Sequence, residues 1–156
     1  MMQRKAGFFI VPLMVLVVFF SGCAGEQGTE LPAIKVVFSH YNVNGTHLLE
    51  IKEVDDVFIN RSEAPKLYTE PPFPGIHAFA YNGLDRTPIT HIPLDREGDN
   101  LTTYIGFEER EKVPQKGDRV LVYMDVVDRK GKILTSNSKR ITWELEPEGL
   151  DLSEIG

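Results

Sequence analysis

The stretch from Arg119 to Trp143 limits the fold more than any other part of the chain, because it admits one local structure. Arg119 to Val127 alternates between two faces: Val120, Val122, Met124 and Val126 on one, Leu121, Tyr123, Asp125 and Val127 on the other. A period of two is the spacing of a β-strand. Asp128-Arg129-Lys130-Gly131 follows, with Asp first and Gly fourth, the pattern of a type I turn that runs on into a glycine bulge. Lys132 to Trp143 is then the returning strand. The alternation predicts that one face is buried and leaves open which.

The same texture recurs upstream. Ile34, Val36 and Phe38 alternate with Lys35, Val37 and Ser39, and Asn44-Gly45 is a strong hairpin signal because both residues accept positive φ. With these two as the turn, Val43 lies opposite Thr46, Asn42 opposite His47, and His40 opposite Leu49. Val36, Phe38, Leu49 and Ile51 then share a core face. A second strand is expected over Thr46 to Val54 and a short third over Val57 to Asn60. Residues 61 to 75 read as irregular, since Pro71, Pro72 and Pro74 exclude a central strand. Pro74-Gly75 suits the two central positions of a type II turn. Ile76 to Tyr81, Ile89 to Leu94 and Leu101 to Phe107 are the remaining strand candidates. Beyond residue 22 no segment sustains a helical period over about 11 residues.

About seven or eight short strands separated by turn signals predict an all-β fold, an antiparallel sandwich. The closing pattern, Gly117-Asp118 before a long strand, then Asp128 to Gly131 and a return strand, resembles the last hairpin of immunoglobulin-like and fibronectin-type-III-like domains. That resemblance is at the level of the fold and implies an immunoglobulin-like sandwich. The cysteine pair and intervening tryptophan of antibody domains are absent, and a small β-barrel is the alternative.

The N-terminus carries a different message. Arg4 and Lys5 precede an almost wholly apolar run from Gly7 to Phe20, which is shorter than the roughly 20 residues needed to span a bilayer. Phe20-Ser21-Gly22-Cys23 then sets small residues directly before the chain's single cysteine. This order resembles the signal and lipobox of secreted lipoproteins of bacteria and archaea, with Phe20 standing where an aliphatic residue is usual. The resemblance implies that the Cys23 thiol is acylated and becomes the new N-terminus. It divides the chain into a signal peptide over 1–22, a lipidated tether over 23–33, a sandwich domain over 34–145 and an acidic tail over 146–156.

All 23 acidic residues and 15 of the 17 basic ones lie beyond residue 22, a formal charge of −8. That balance argues against nucleic acid, whose binders need a basic patch. One cysteine allows no internal disulfide.

Candidates for chemistry are few. On the proposed hairpin His40 and His47 are diagonal neighbours on one face beside Asn42, close enough to converge. A zinc or copper site there needs a further ligand from His77, His91 or a carboxylate. Asp55-Asp56 and Asp95, Glu97 and Asp99 crowd two loops without the spacing of an EF-hand. There is no Gly-x-Ser-x-Gly elbow and no phosphate-cradling glycine loop. Asn44, Asn60 and Asn100 each open an Asn-x-Ser/Thr acceptor sequence for glycans. Phe73, among prolines, is either an exposed tip for a partner or a lid folded back on the core, the second being the commoner use of such a residue.

These observations lead to an expectation of a lipid-anchored extracytoplasmic module of the cell envelope that binds or supports rather than catalyses, without a cofactor. Its partners would be the membrane, through Cys23, and another envelope protein or a small ligand. The alternatives are a small metal-binding envelope protein using His40 and His47, and an enzyme acting on envelope polysaccharide.

Overall fold

The structure, a computed structural model, describes residues 30–107 and 112–146. Its strands are β1 (Glu30–Val43), β2 (Thr46–Asn60), β3 (Leu67–Tyr68), β4 (Gly75–Asn82), β5 (Asp85–Arg86), β6 (Ile89–Ile92), β7 (Gly98–Gly106), β8 (Arg119–Val127) and β9 (Ile133–Thr142), with a 3-10 turn at Arg61–Glu63. They form two antiparallel sheets, a three-stranded one in the order β2-β1-β7 and a six-stranded one in the order β3-β6-β4-β8-β9, with β5 beside β4. The expected all-β sandwich is therefore what forms, and its two separate sheets set aside a closed barrel. The strands beyond the expected number are the two-residue pieces β3 and β5.

The core lies between the sheets. Ile34, Val36 and Phe38 of β1 face Ile76, Ala78 and Ala80 of β4 and Val120, Val122, Met124 and Val126 of β8, and Trp143 closes one end. This decides the question left open for β8. Turning the other face inward would bury Asp125, whereas each β-branched side chain buried on the chosen face contributes about 1.5–3 kcal/mol.

The β8–β9 turn has the expected form. Gly131 sits at φ 80°, its N–H donates to the Asp128 carbonyl, and the register slips between Val126 and Val127. Asp128 Oδ1 accepts from the N–H groups of Lys132 and Lys130, which holds that carboxyl below its ordinary value.

The first hairpin also pairs as expected, with Val43 opposite Thr46, Asn42 opposite His47 and His40 opposite Leu49. A bulge opposite Val37 and Phe38 leaves Lys52 unpaired, so Phe38 meets Ile51 while Val36 meets Val54. Leu49, Ile51 and Val54 can thereby all pack on the core despite their odd and even positions.

Three expectations need correction. Val57 to Asn60 is no separate strand but the end of β2, and it pairs with Glu30 to Ala33. The domain thus begins before Ile34: four residues assigned to the tether belong to β1, and Ala33 is wholly buried. Pro32 is tolerated there because the β7 ladder stops at Ala33, leaving no acceptor for the missing N–H on that side. Pro74-Gly75 is no type II turn, since Gly75 lacks the positive φ that turn requires and opens β4 after a cis Phe73–Pro74 peptide.

β9 runs beside the edge of β2 in the same direction. Asn137 Nδ2 donates to the Leu49 carbonyl (3.2 Å), Lys139 Nζ to the Lys52 carbonyl (3.1 Å), and the N–H groups of Glu144 and Leu145 to Asp56 Oδ2 (2.7 Å each). The β8–β9 turn and the start of β4 therefore lie at the same end of the sandwich as the Asn44-Gly45 hairpin tip. Glu30 and Asn60 lie at the opposite end.

Candidate functional site

Alternation along β4 sends Ile76, Ala78 and Ala80 into the core and sets His77, Phe79 and Tyr81 on the outer face of the six-stranded sheet. Such a face ordinarily meets water. Part of this one is covered. His77 stands between two cross-strand partners, His91 on β6 and Asp125 on β8, a polar row over three strands. The segment joining β3 to β4 folds over the row, and the Phe73 ring stacks on His77 with centroids 5.9 Å apart. The same ring lies against Gly131 of the β8–β9 turn. His77 is left only 5% exposed, whereas Phe73 is 54% exposed. Phe73 is thus a lid over a histidine on the sheet's outer face rather than over the core.

Beside this lid lies an open pocket of about 780 Å³. His77, Phe79 and Asp125 form its floor on the sheet, and Glu70, Phe73 and Arg86 are among its walls. His77 Nε2 is buried and has no hydrogen-bond partner. The Pro72 carbonyl takes a hydrogen bond from the ring, which puts the proton on Nδ1 and leaves Nε2 a bare lone pair. Burial pushes His77 below the ordinary histidine value of 6.5, the Pro72 carbonyl opposes the shift, and the neighbouring His91 adds to it. Burial also pushes the Asp125 carboxyl above its ordinary 3.8. An ion pair would move both groups the other way. The floor therefore holds two desolvated groups that do not satisfy each other, a combination that clusters at functional sites.

His91 is fixed more firmly. Its Nε2 donates to the Pro74 carbonyl (2.9 Å), and Tyr68 meets the ring edge-on with centroids 6.3 Å apart. Gly75 makes room for this bond, because a Cβ there would lie 2.2 Å from His91 Nε2.

The expected histidine pair does converge. His40 Nε2 and His47 Nδ1 are 3.0 Å apart, and the rings lie parallel within 6° with centroids separated by 5.3 Å, as an edge-to-edge N–H···N bond requires. His40 is wholly buried, and its Nδ1 donates to the Arg96 carbonyl at 2.8 Å. A carbonyl only accepts, so in the neutral pair His47 Nδ1 supplies the proton between the rings and three of the four ring nitrogens are engaged. Among the described residues no three His, Cys, Asp or Glu side chains converge as a metal site.

The acidic residues expected in loops lie largely in strands, Asp55 and Asp56 within β2 and Asp99 within β7, and they are tied to backbone and to phenol. Glu97 accepts from the Asn42 N–H (2.9 Å), and Asp99 accepts from the Tyr41 hydroxyl, a bond that raises the phenol above its ordinary value of 10.0. Asp56 holds the two N–H groups after Trp143. The three candidate glycan acceptors are all exposed: Asn44 at the hairpin tip with φ 52°, Asn60 capping the 3-10 turn through Ser62, and Asn100 on the edge strand β7. Cys23, the signal and residues 147–156 of the tail lie outside the described residues.

The sequence reading did not bring His77, His91 and Asp125 together. A signal existed in part, since Ile76 to Tyr81 alternates with His77 on the polar side and Asp125 interrupts an apolar strand. The register joining β4 to β6 and β8 was missing. No family model, curated protein or solved structure matches this chain.

Proposed function

We propose that the protein is a non-catalytic binding module of the cell envelope, anchored on the extracytoplasmic side by lipid on Cys23, with the pocket over His77 as its working surface. The observation that carries the binding reading is the buried, unpartnered His77 Nε2 beside that pocket. Leaving such an atom unsatisfied costs about 1–3 kcal/mol, and a ligand that brings a donor removes the cost. His77 and Asp125 share no hydrogen bond, so neither orients the other as a general base and its partner do. This supports binding over catalysis. The order of charge, apolar run, small residues and Cys23 supports the address.

The direction of the strands fits that arrangement. The chain enters the domain at Glu30, and the pocket lies toward the other end, near the β8–β9 turn. A lipid on Cys23 would therefore hold the pocket outward. The metal-binding alternative has less support, because three of the four His40 and His47 ring nitrogens are taken up by each other and by Arg96.

The test is a titration of the isotope-labelled protein with saccharides, amines, carboxylates and phosphates while the histidine ring signals are followed by NMR. One class is expected to move the His77 signals and leave those of His40 in place. If none moves them, the pocket is not a binding site.

A further inference from the structure

We infer that the pocket over His77 receives a primary alkylammonium group, seated between Asp125, His77 and the ring of Phe73. The inference rests on the reading of this pocket as a binding site and goes on to name its ligand chemistry.

The floor offers acceptors and no free donor. His77 Nε2 is a lone pair, and Asp125 is a carboxyl with no cation facing it. The Nε2 proton of His91 is committed to the Pro74 carbonyl, and the Nδ1 proton of His77 to that of Pro72. A group seated on the floor must therefore bring its own N–H or O–H groups. An ammonium brings three, enough to reach both acceptors, and a positive charge for the carboxylate. A hydroxyl group brings one donor and leaves Asp125 without a counter-charge. An anion would meet Asp125 and Glu70; among the described residues Arg86, directed to the Thr69 carbonyl, is the one Lys or Arg side chain lining the pocket.

The walls suit the same ligand. Phe73 and Phe79 line the pocket, and aromatic rings attract a cation through their quadrupole. Ile89, Val127 and Ile133 supply apolar surface for an alkyl stem. The chain's formal charge of −6 favours the approach of cations. Nε2 itself is covered, so Phe73 must swing aside to admit the head group. Its ring is half exposed, stacked on His77 and resting against Gly131.

The experiment uses the full-length chain in a non-ionic polyoxyethylene detergent, with calorimetry for affinity and NMR for the histidine rings. Butylammonium is expected to bind at least about tenfold more tightly than butanol of the same shape, and to move the His77 signals. Tetramethylammonium, which has the charge without the N–H groups, is expected to bind several-fold more weakly than butylammonium. Asp125→Asn should weaken butylammonium about tenfold and Phe73→Leu about threefold, with the His40 and His47 signals in place to show that each variant is folded. Diaminopentane and Nα-acetyl-lysine methylamide separate the two sources, a free amine and a protein lysine, according to which binds more tightly.

The proposal is overturned if butanol or a disaccharide binds as tightly as butylammonium, or if Asp125→Asn binds it undiminished. A disaccharide that moves the His77 signals would remove the ammonium and leave the binding pocket standing. Silence from every probe would remove both.

Discussion

His77 of β4 stands directly opposite Asp125 of β8, and the two share no hydrogen bond. Each is perturbed by burial in the direction of its neutral form, histidine downward and carboxyl upward. Both shifts register a cost of taking an ionisable group out of water, and both can be read out as stability against pH.

For Asp125 the folded state holds the proton more tightly than the unfolded chain. Its favourable contribution is complete below the ordinary value of 3.8 and is lost as pH rises through the raised folded value. At neutral pH the ionised carboxylate is therefore a burden. Asp125→Asn should unfold at a higher urea concentration than the parent at pH 7, and the two midpoints should converge below pH 3.8. An Asn variant less stable than the parent at neutral pH would show that the carboxylate has a partner after all.

For His77 the sign is reversed. A folded value below 6.5 means that stability is complete above 6.5 and lost as pH falls through the folded value. His91 from β6, Asp125 from β8 and the Phe73 lid face this ring, and His91 works with burial. His77→Phe keeps a flat ring without a charge. The difference in unfolding free energy between the variant and the parent should widen on acidification below pH 6.5 in favour of Phe. A constant difference across that range would place the titration elsewhere.

Gly75→Ala should destabilise by about 1–3 kcal/mol, the usual cost of overpacking. The added Cβ would lie 2.2 Å from His91 Nε2 and 3.1 Å from the Ile92 carbonyl oxygen. Moving His91 also breaks its bond to Pro74. Urea unfolding measures the loss, and the His91 ring signals should shift in the same variant.

His40 and His47 make a further, separable prediction. His40→Ala opens a buried space and leaves the Arg96 carbonyl without its donor, a loss of about 2–4 kcal/mol. His47→Ala, at a half-buried site, should cost about 1 kcal/mol. Because the rings bond to each other, the double variant should cost less than the two separate losses combined. Strict additivity in urea unfolding would show that the contact contributes nothing.

The two hairpins were legible because each carries its own turn chemistry. Asn44-Gly45 and Asp128 to Gly131 fix the register locally, so the pairings of His40, Asn42 and Val43, and of β8 with β9, follow from a few neighbouring residues. The His77 site was not legible for the converse reason. β4 pairs with β8, from which it is separated by β5, β6 and β7, and no local residue encodes which position of β8 meets His77. The start of β1 was hidden in another way. Glu30 to Ala33 shows no apolar alternation, and it becomes strand because Val57 to Asn60 offers it a ladder. The lid was half visible: the prolines around Phe73 announced an irregular segment, and only its fold over the sheet showed that the ring meets His77.

The anchor is tested apart from the domain. If Cys23 carries lipid, cells fed labelled palmitate should incorporate it into the parent and not into Cys23→Ser. The parent's mature N-terminus should be Cys23. In a bacterial host globomycin, which blocks the lipoprotein signal peptidase, should leave the precursor uncleaved. The variant separates this route from an uncleaved membrane anchor, because the apolar run from Gly7 to Phe20 is intact in both chains. A Cys23→Ser chain that is cleaved at the same place and retained on membranes as before would show that the cysteine is not the attachment point. Loss of label together with accumulation of the precursor would establish that it is.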